Sequence, residues 1–118
     1  MSYAEYQEHF EQEAGKERDR YDARSVAELL ADIRAGRFGS YYQIWHSIGA
    51  RASLADAGSL LADILESDAD YLHRYHCASA LISIGRVYSD GYRPEQLSAR
   101  ETYPVRERVA ELRQRLQI

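Results

Sequence analysis

Three side chains able to ligate a metal or move a proton fall within one turn and a half of sequence: His73, His76 and Cys77, at i, i+3 and i+4. On a helix that spacing puts them on one face, and Asp70, one turn earlier, would supply a fourth donor for a tetrahedral ion. Four ligands from one straight helix rarely surround such an ion, and Cys77 sits where a small buried residue is expected. No orienting group or oxyanion donor is legible beside a cysteine–histidine nucleophile. The sequence therefore predicts no catalytic residue, no metal and no cofactor. A small metal- or ligand-binding protein or enzyme built on His73, His76 and Cys77 is the alternative.

Carboxylates crowd the preceding stretch at Asp63, Glu66, Asp68 and Asp70. Two of them converging across a cleft could do acid–base work, but acids beside a helix start are ordinarily solvated and favoured by its dipole. Asp32 and Asp63 read in the same way, as turn or surface positions. Ten tyrosines and Trp45 are the stronger hint, because aromatic rings with polar tips are enriched at protein interfaces. Trp45 and Tyr75 are expected to pack inside. Tyr41, Tyr71, Arg74 and Tyr92, with the four acids, form the predicted partner-binding set.

The elements that must position these groups show an internal repetition. Leu29-Leu30-Ala31-Asp32-Ile33 recurs unchanged as Leu60-Leu61-Ala62-Asp63-Ile64, and each copy is followed by Ser-Ile-Gly, at Ser47-Ile48-Gly49 and Ser83-Ile84-Gly85. The intervals are 13 and 18 residues. Ser2 before Glu5, Ser25 before Glu28, Ser53 before Asp56 and Ser67 before Asp70 have capping-box spacing, while Gly36, Gly49 and Gly85 read as stops. Together they predict six helices near residues 3–21, 26–35, 41–49, 54–66, 69–88 and 104–117, with no strand pattern. Val105, Val109, Leu112 and Leu116 make one apolar stripe on the last helix, and Tyr3, Tyr6 and Phe10 another on the first. Gly15 is expected to bend or end that first helix, leaving 11–24 as the most mobile segment. Gly91 and Pro94 place a loop at 89–103.

An Ile-Gly helix end, a short polar link, a Leu-Leu-x-x-Ile-Leu helix and a Ser-Asp-Ala-Asp turn lead into Tyr71-Leu72-His73-Arg74-Tyr75-His76-Cys77-Ala78-Ser79-Ala80-Leu81. The run resembles the HEAT or bilin-lyase-type (PBS-lyase-like) helical repeat over residues 25–88. Tyr41, Tyr42 and Trp45 bulk out the first copy, and the usual linker proline is missing. The resemblance implies an all-α chain forming a short right-handed α-solenoid of two degenerate helix pairs. In this reading one domain spans 1–118: a capping helix over 1–24, the repeats over 25–88, the loop and a second capping helix over 104–118. Such repeats mostly serve as binding scaffolds.

Composition bounds the rest. At 118 residues with one cysteine, the chain fits a single domain that needs no disulfide, and a reducing, cytoplasmic setting is expected. No apolar run approaches the roughly 18 residues that span a bilayer, and the first residues lack a signal-peptide pattern. Fourteen arginines against one lysine, with no asparagine, suit the codon bias of a GC-rich bacterial genome. Residues 1–70 carry 14 acids and 7 bases, and 71–118 carry 5 and 8. An acidic front half disfavours direct nucleic-acid binding and would steer a basic protein partner. The expected function is protein–protein binding, by analogy as the immunity (antitoxin-like) partner of a basic toxin domain, with self-association as a homodimer the further alternative.

Overall fold

Serine hydroxyls start three of the helices. Ser2 accepts from the Glu5 N–H at 3.2 Å, Ser53 from Asp56 at 3.1 Å, and Ser25 from Glu28 at 3.1 Å while the Glu28 carboxylate accepts the Ser25 N–H in return. In the computed structural model, which describes residues 1–118, the chain is an all-α domain of six helices without strands. They are α1 (Tyr3–Asp22), α2 (Val26–Arg34), α3 (Gln43–Arg51), α4 (Leu54–Leu65), α5 (Tyr71–Gly85) and α6 (Val105–Leu116). No helix is long and apolar enough to cross a membrane.

Among the serines read as caps, only Ser25 with Glu28 closes a full capping box, Ser2 and Ser53 cap in one direction, and the fourth cap does not form. The Ser67 hydroxyl donates to the Ile64 carbonyl at 2.6 Å and accepts from Ala69, so it finishes α4. Asp70 precedes α5 without a side-chain cap. The glycines also divide. Gly36, at φ +75°, ends α2 in the left-handed conformation that suits a residue without Cβ. Gly49 lies inside α3, where a Cβ would stand 3.1 Å from the Ala80 Cα. At Gly85 a Cβ would meet the Leu116 side chain at 2.9 Å, and Arg86 takes the left-handed turn. The two Ser-Ile-Gly glycines thus permit close helix contacts as much as they mark ends.

Helix α5 is the centre, packed on both α3 and α4, with Cys77, Ala78, Ala80, Leu81 and Ile82 buried. Around it lie Leu29, Ile33, Ile44, Trp45, Ile48, Leu61, Leu65 and Leu112, all sealed from solvent, each stabilising the fold by about 1.5–3 kcal/mol. The stripe on α6 packs as its spacing predicts, with Val105, Val109 and Leu112 buried. The stretch 89–103 is more than a loop. Two 3-10 turns, Tyr88–Asp90 and Pro94–Leu97, line it, and Leu97 and Ser98 are fully buried; the second turn packs on α5.

The first helix does not end at Gly15 as expected. α1 runs unbroken through Gly15, and its rear half is tied down by Glu17, whose carboxylate accepts the N–H groups of Ser40 at 2.6 Å and Tyr41 at 2.8 Å. The fixed segment is 14–22; the free one is 1–9, where every residue is exposed. The repeated pentapeptide also splits in environment. Leu29 and Ile33 are buried where Leu60 and Ile64 are only half-buried, whereas Ala62 is buried and Ala31 exposed. The second copy turns one residue further round, so identical residues face different neighbours. Asp32 is therefore buried, not superficial, and sits between Arg24 and Arg37, whose hydrogen bonds hold its carboxyl below the usual carboxylate range.

Candidate partner-binding surfaces

The predicted acidic corner forms where α4 turns into α5, but arginines answer it. Arg113 of α6 bonds Asp63 at 2.7 Å and Glu66 at 3.2 Å. Arg100 donates to the carbonyls of Leu65 and Ser67, and Arg74 to those of Ala69 at 2.8 Å and Ser98 at 2.6 Å. Asp68 and Asp70 stay exposed without ion pairs, beside Tyr71 and Leu72, which are 43% and 47% exposed. The corner carries four carboxylates and three guanidiniums, so its net field is weak.

Two of the predicted surface residues lie inside. Arg74 is 8% exposed because its guanidinium is drawn inward to two carbonyls. Tyr92 is 6% exposed because the Arg108 guanidinium covers its ring at 3.8 Å. Tyr41 is half-buried, edge-on to Phe10 at 5.1 Å. Trp45 is core as expected, while Tyr75 is only half-buried. Arginine stems and heads can cover aromatic faces, which residue type alone does not reveal.

His73, His76 and Cys77 share a helix but do not converge. The Cys77 Sγ donates to the Leu61 carbonyl at 3.3 Å inside the core, and burial pushes its thiol well up. His73 Nδ1 accepts from the Trp45 indole at 3.2 Å, and its ring packs on Phe38 and Tyr42. His76 stacks on Tyr42 at 4.7 Å, with His46 at 5.4 Å. Burial holds both imidazoles below their ordinary value, and the neighbouring His46 and His73 add to this at His76. No three His, Cys, Asp or Glu side chains are gathered to hold an ion. The arrangement is an aromatic seam between α3 and α5.

The surface that residue-by-residue reading assigned to capping is the front of α1. A helix of 20 residues is about 30 Å long, and its first half leaves the body. Tyr3 is 79% exposed and Tyr6 58%. Residues 1–13 hold Glu5, Glu8, Glu11 and Glu13 with no lysine or arginine, while the rest of the chain carries 15 acids and 15 bases. The formal excess of acid is therefore confined to residues 1–13, with Glu5 and Glu8 in the free segment and Glu13 paired to Lys16 at 3.1 Å. A window narrower than half the chain would have exposed that in the sequence.

No protein-family model, curated protein or solved structure matches the chain. The repeat resemblance therefore rests on the residues quoted for it.

Proposed function

We propose that this chain is a protein-binding module and that the free half of α1 is its leading contact surface. The carrying observation is the coincidence of a stretch that holds acids and no lysine or arginine, Glu5, Glu8 and Glu11, with an aromatic stripe, Tyr3 and Tyr6, that nothing in the chain covers. Isolated helices of about this length are marginal in water. A partner with a basic, partly apolar groove would stabilise the arm and bury its rings, and its carboxylates would steer the encounter. Asp68, Asp70 and Tyr71 form a secondary surface.

By analogy, the role is that of a cytoplasmic bacterial immunity protein masking a basic toxin domain; small size and acidity support it. The order of the repeated landmarks supports a HEAT-type reading of α2–α5 as two degenerate pairs in a short right-handed solenoid, with the one-residue rotation of the second copy as drift. The engaged positions of Cys77 and His73 favour binding over catalysis.

The test is co-purification from the native host, comparing the tagged chain with a Glu5→Arg, Glu8→Arg, Tyr3→Ala, Tyr6→Ala variant. One basic protein recovered near equal amount, and lost with the variant, is the expected result. Equal recovery by both chains removes the arm from the interface, and a partnerless preparation of both counts against the module.

A further inference from the structure

Arg74 is buried without a counter-ion. The chain's nine ion pairs leave out Arg74, Arg100 and Arg106. Arg74 and Arg100 line a surface depression of about 490 Å³ with Tyr71, Ser98 and Thr102; Arg100 also lines a second depression of about 590 Å³, together with Arg106. Glu101 also lines the first and forms no ion pair with any of them. Arg74 and Arg100 thus share the first hollow with Glu101, which pairs with neither, and the second holds Arg100 and Arg106 beside Glu66, which Arg113 already engages.

The donor inventory points the same way. A guanidinium has five N–H donors. Arg74 uses Nε and Nη1 on the Ala69 and Ser98 carbonyls, which fix the plane of the group. Its Nη2 has no partner in the chain. Every fully buried side-chain nitrogen and oxygen does have one, so Nη2 reaches open space, and the depression is the space Arg74 lines. Arg100 uses only Nη2, leaving Nε and Nη1 free. Burial and the nearby Arg100 charge disfavour the cationic form of Arg74, outweighing the opposite influence of Tyr71 and Asp70. Leaving a buried charge unpaired is costly, and an anion seated here would remove that cost. The Tyr71 ring, 5.9 Å from the Arg74 guanidinium, offers a flat wall to whatever carries the anion.

We infer that the depression between Arg74 and Arg100 is a binding site for the oxyanion of a small organic molecule, a carboxylate or a phosphate, whose body packs against Tyr71. Its volume lies within the range of small-ligand pockets. The site is separate from the α1 arm and stands whether or not the arm binds a protein.

Thermal unfolding at constant ionic strength tests it with three probes, inorganic phosphate, phenyl phosphate and benzoate, against chloride. At about ten times its Kd a probe that binds raises the midpoint by roughly 3–6 °C, saturably. Phenyl phosphate above benzoate assigns phosphate, and the reverse assigns carboxylate. Arg100→Gln is expected to weaken the response about tenfold. Ala99→Asp, which places a carboxylate in the same hollow, is expected to raise the midpoint without ligand and abolish the response. A chloride-like response to all three probes overturns the site, as does a response unchanged in both variants.

Discussion

The Glu17 carboxylate accepts the backbone N–H of Tyr41 at 2.8 Å across 24 residues of sequence. With Ser40 on its other oxygen and the Gln43 N–H at 3.5 Å, it holds the turn that enters α3, where Tyr42 is left-handed at φ 65° and offers no side-chain cap. Gly39 makes room, since a Cβ there would stand 2.2 Å from the carboxylate. Glu17→Ala orphans both N–H groups and is expected to cost about 3 kcal/mol, and Glu17→Gln about half that, in urea titrations followed by circular dichroism.

The arm predicts the opposite result. Removing residues 1–9 takes away no buried side chain, so the urea midpoint is expected to stay within about 0.5 kcal/mol of the full chain. A larger loss would mean that the front of α1 supports the body.

Histidine burial fixes the direction of one pH dependence. His73 and His76 titrate below 6.5 when folded, so as pH falls past about 6.5 the unfolded chain gains protons first and stability declines until the folded values are passed. Asp32 acts in a lower window. Its contribution is complete above 3.8 and is lost as pH falls through its lowered folded value. Urea midpoints at about pH 7.5 and about pH 5 are expected to differ in the wild type and to differ less in His76→Phe, which keeps the stacking on Tyr42 and leaves only the His73 contribution.

Gly49 gives a packing test. With the Ala80 Cα at 3.1 Å from any Cβ, Gly49→Ala must push α3 from α5, and a loss of about 1–3 kcal/mol is expected despite the better helix propensity of alanine. A gain in stability would show that the helices part freely there.

Cys77 should be silent to thiol reagents. It is sealed in the core with its thiol pushed well up, so labelling by a chromogenic disulfide is expected only as fast as the protein opens. Rapid labelling of the native protein would contradict the packing of α4 on α5.

Helix existence was legible in the sequence because serine caps, left-handed glycines and apolar spacing are local signals. The stripe Val105–Val109–Leu112 and the full capping box at Ser25 and Glu28 both appear as read. What stayed hidden is non-local. Ser67 has the right spacing for a cap, yet α4 claims its hydroxyl. Arg74 and Tyr92 look like surface residues, yet carbonyls from a distant turn hold the first and Arg108 covers the second. Asp63 and Glu66 look like a free acidic cluster until Arg113, 47 or more residues on, arrives beside them. Of the predicted set, Asp63, Glu66, Asp68, Asp70 and Tyr71 are exposed, the first two in ion pairs with Arg113.

The place of α5 between α3 and α4 has a kinetic consequence. It is buried on several sides, so α3 and α4 have little to pack against until it is helical, whereas α1 reaches the body only through its rear turns and the loop before α3. α3, α4 and α5 are therefore expected to condense first and α1 to dock late. Substitutions at Leu81 are expected to slow refolding, and those at Ala14 to speed unfolding instead.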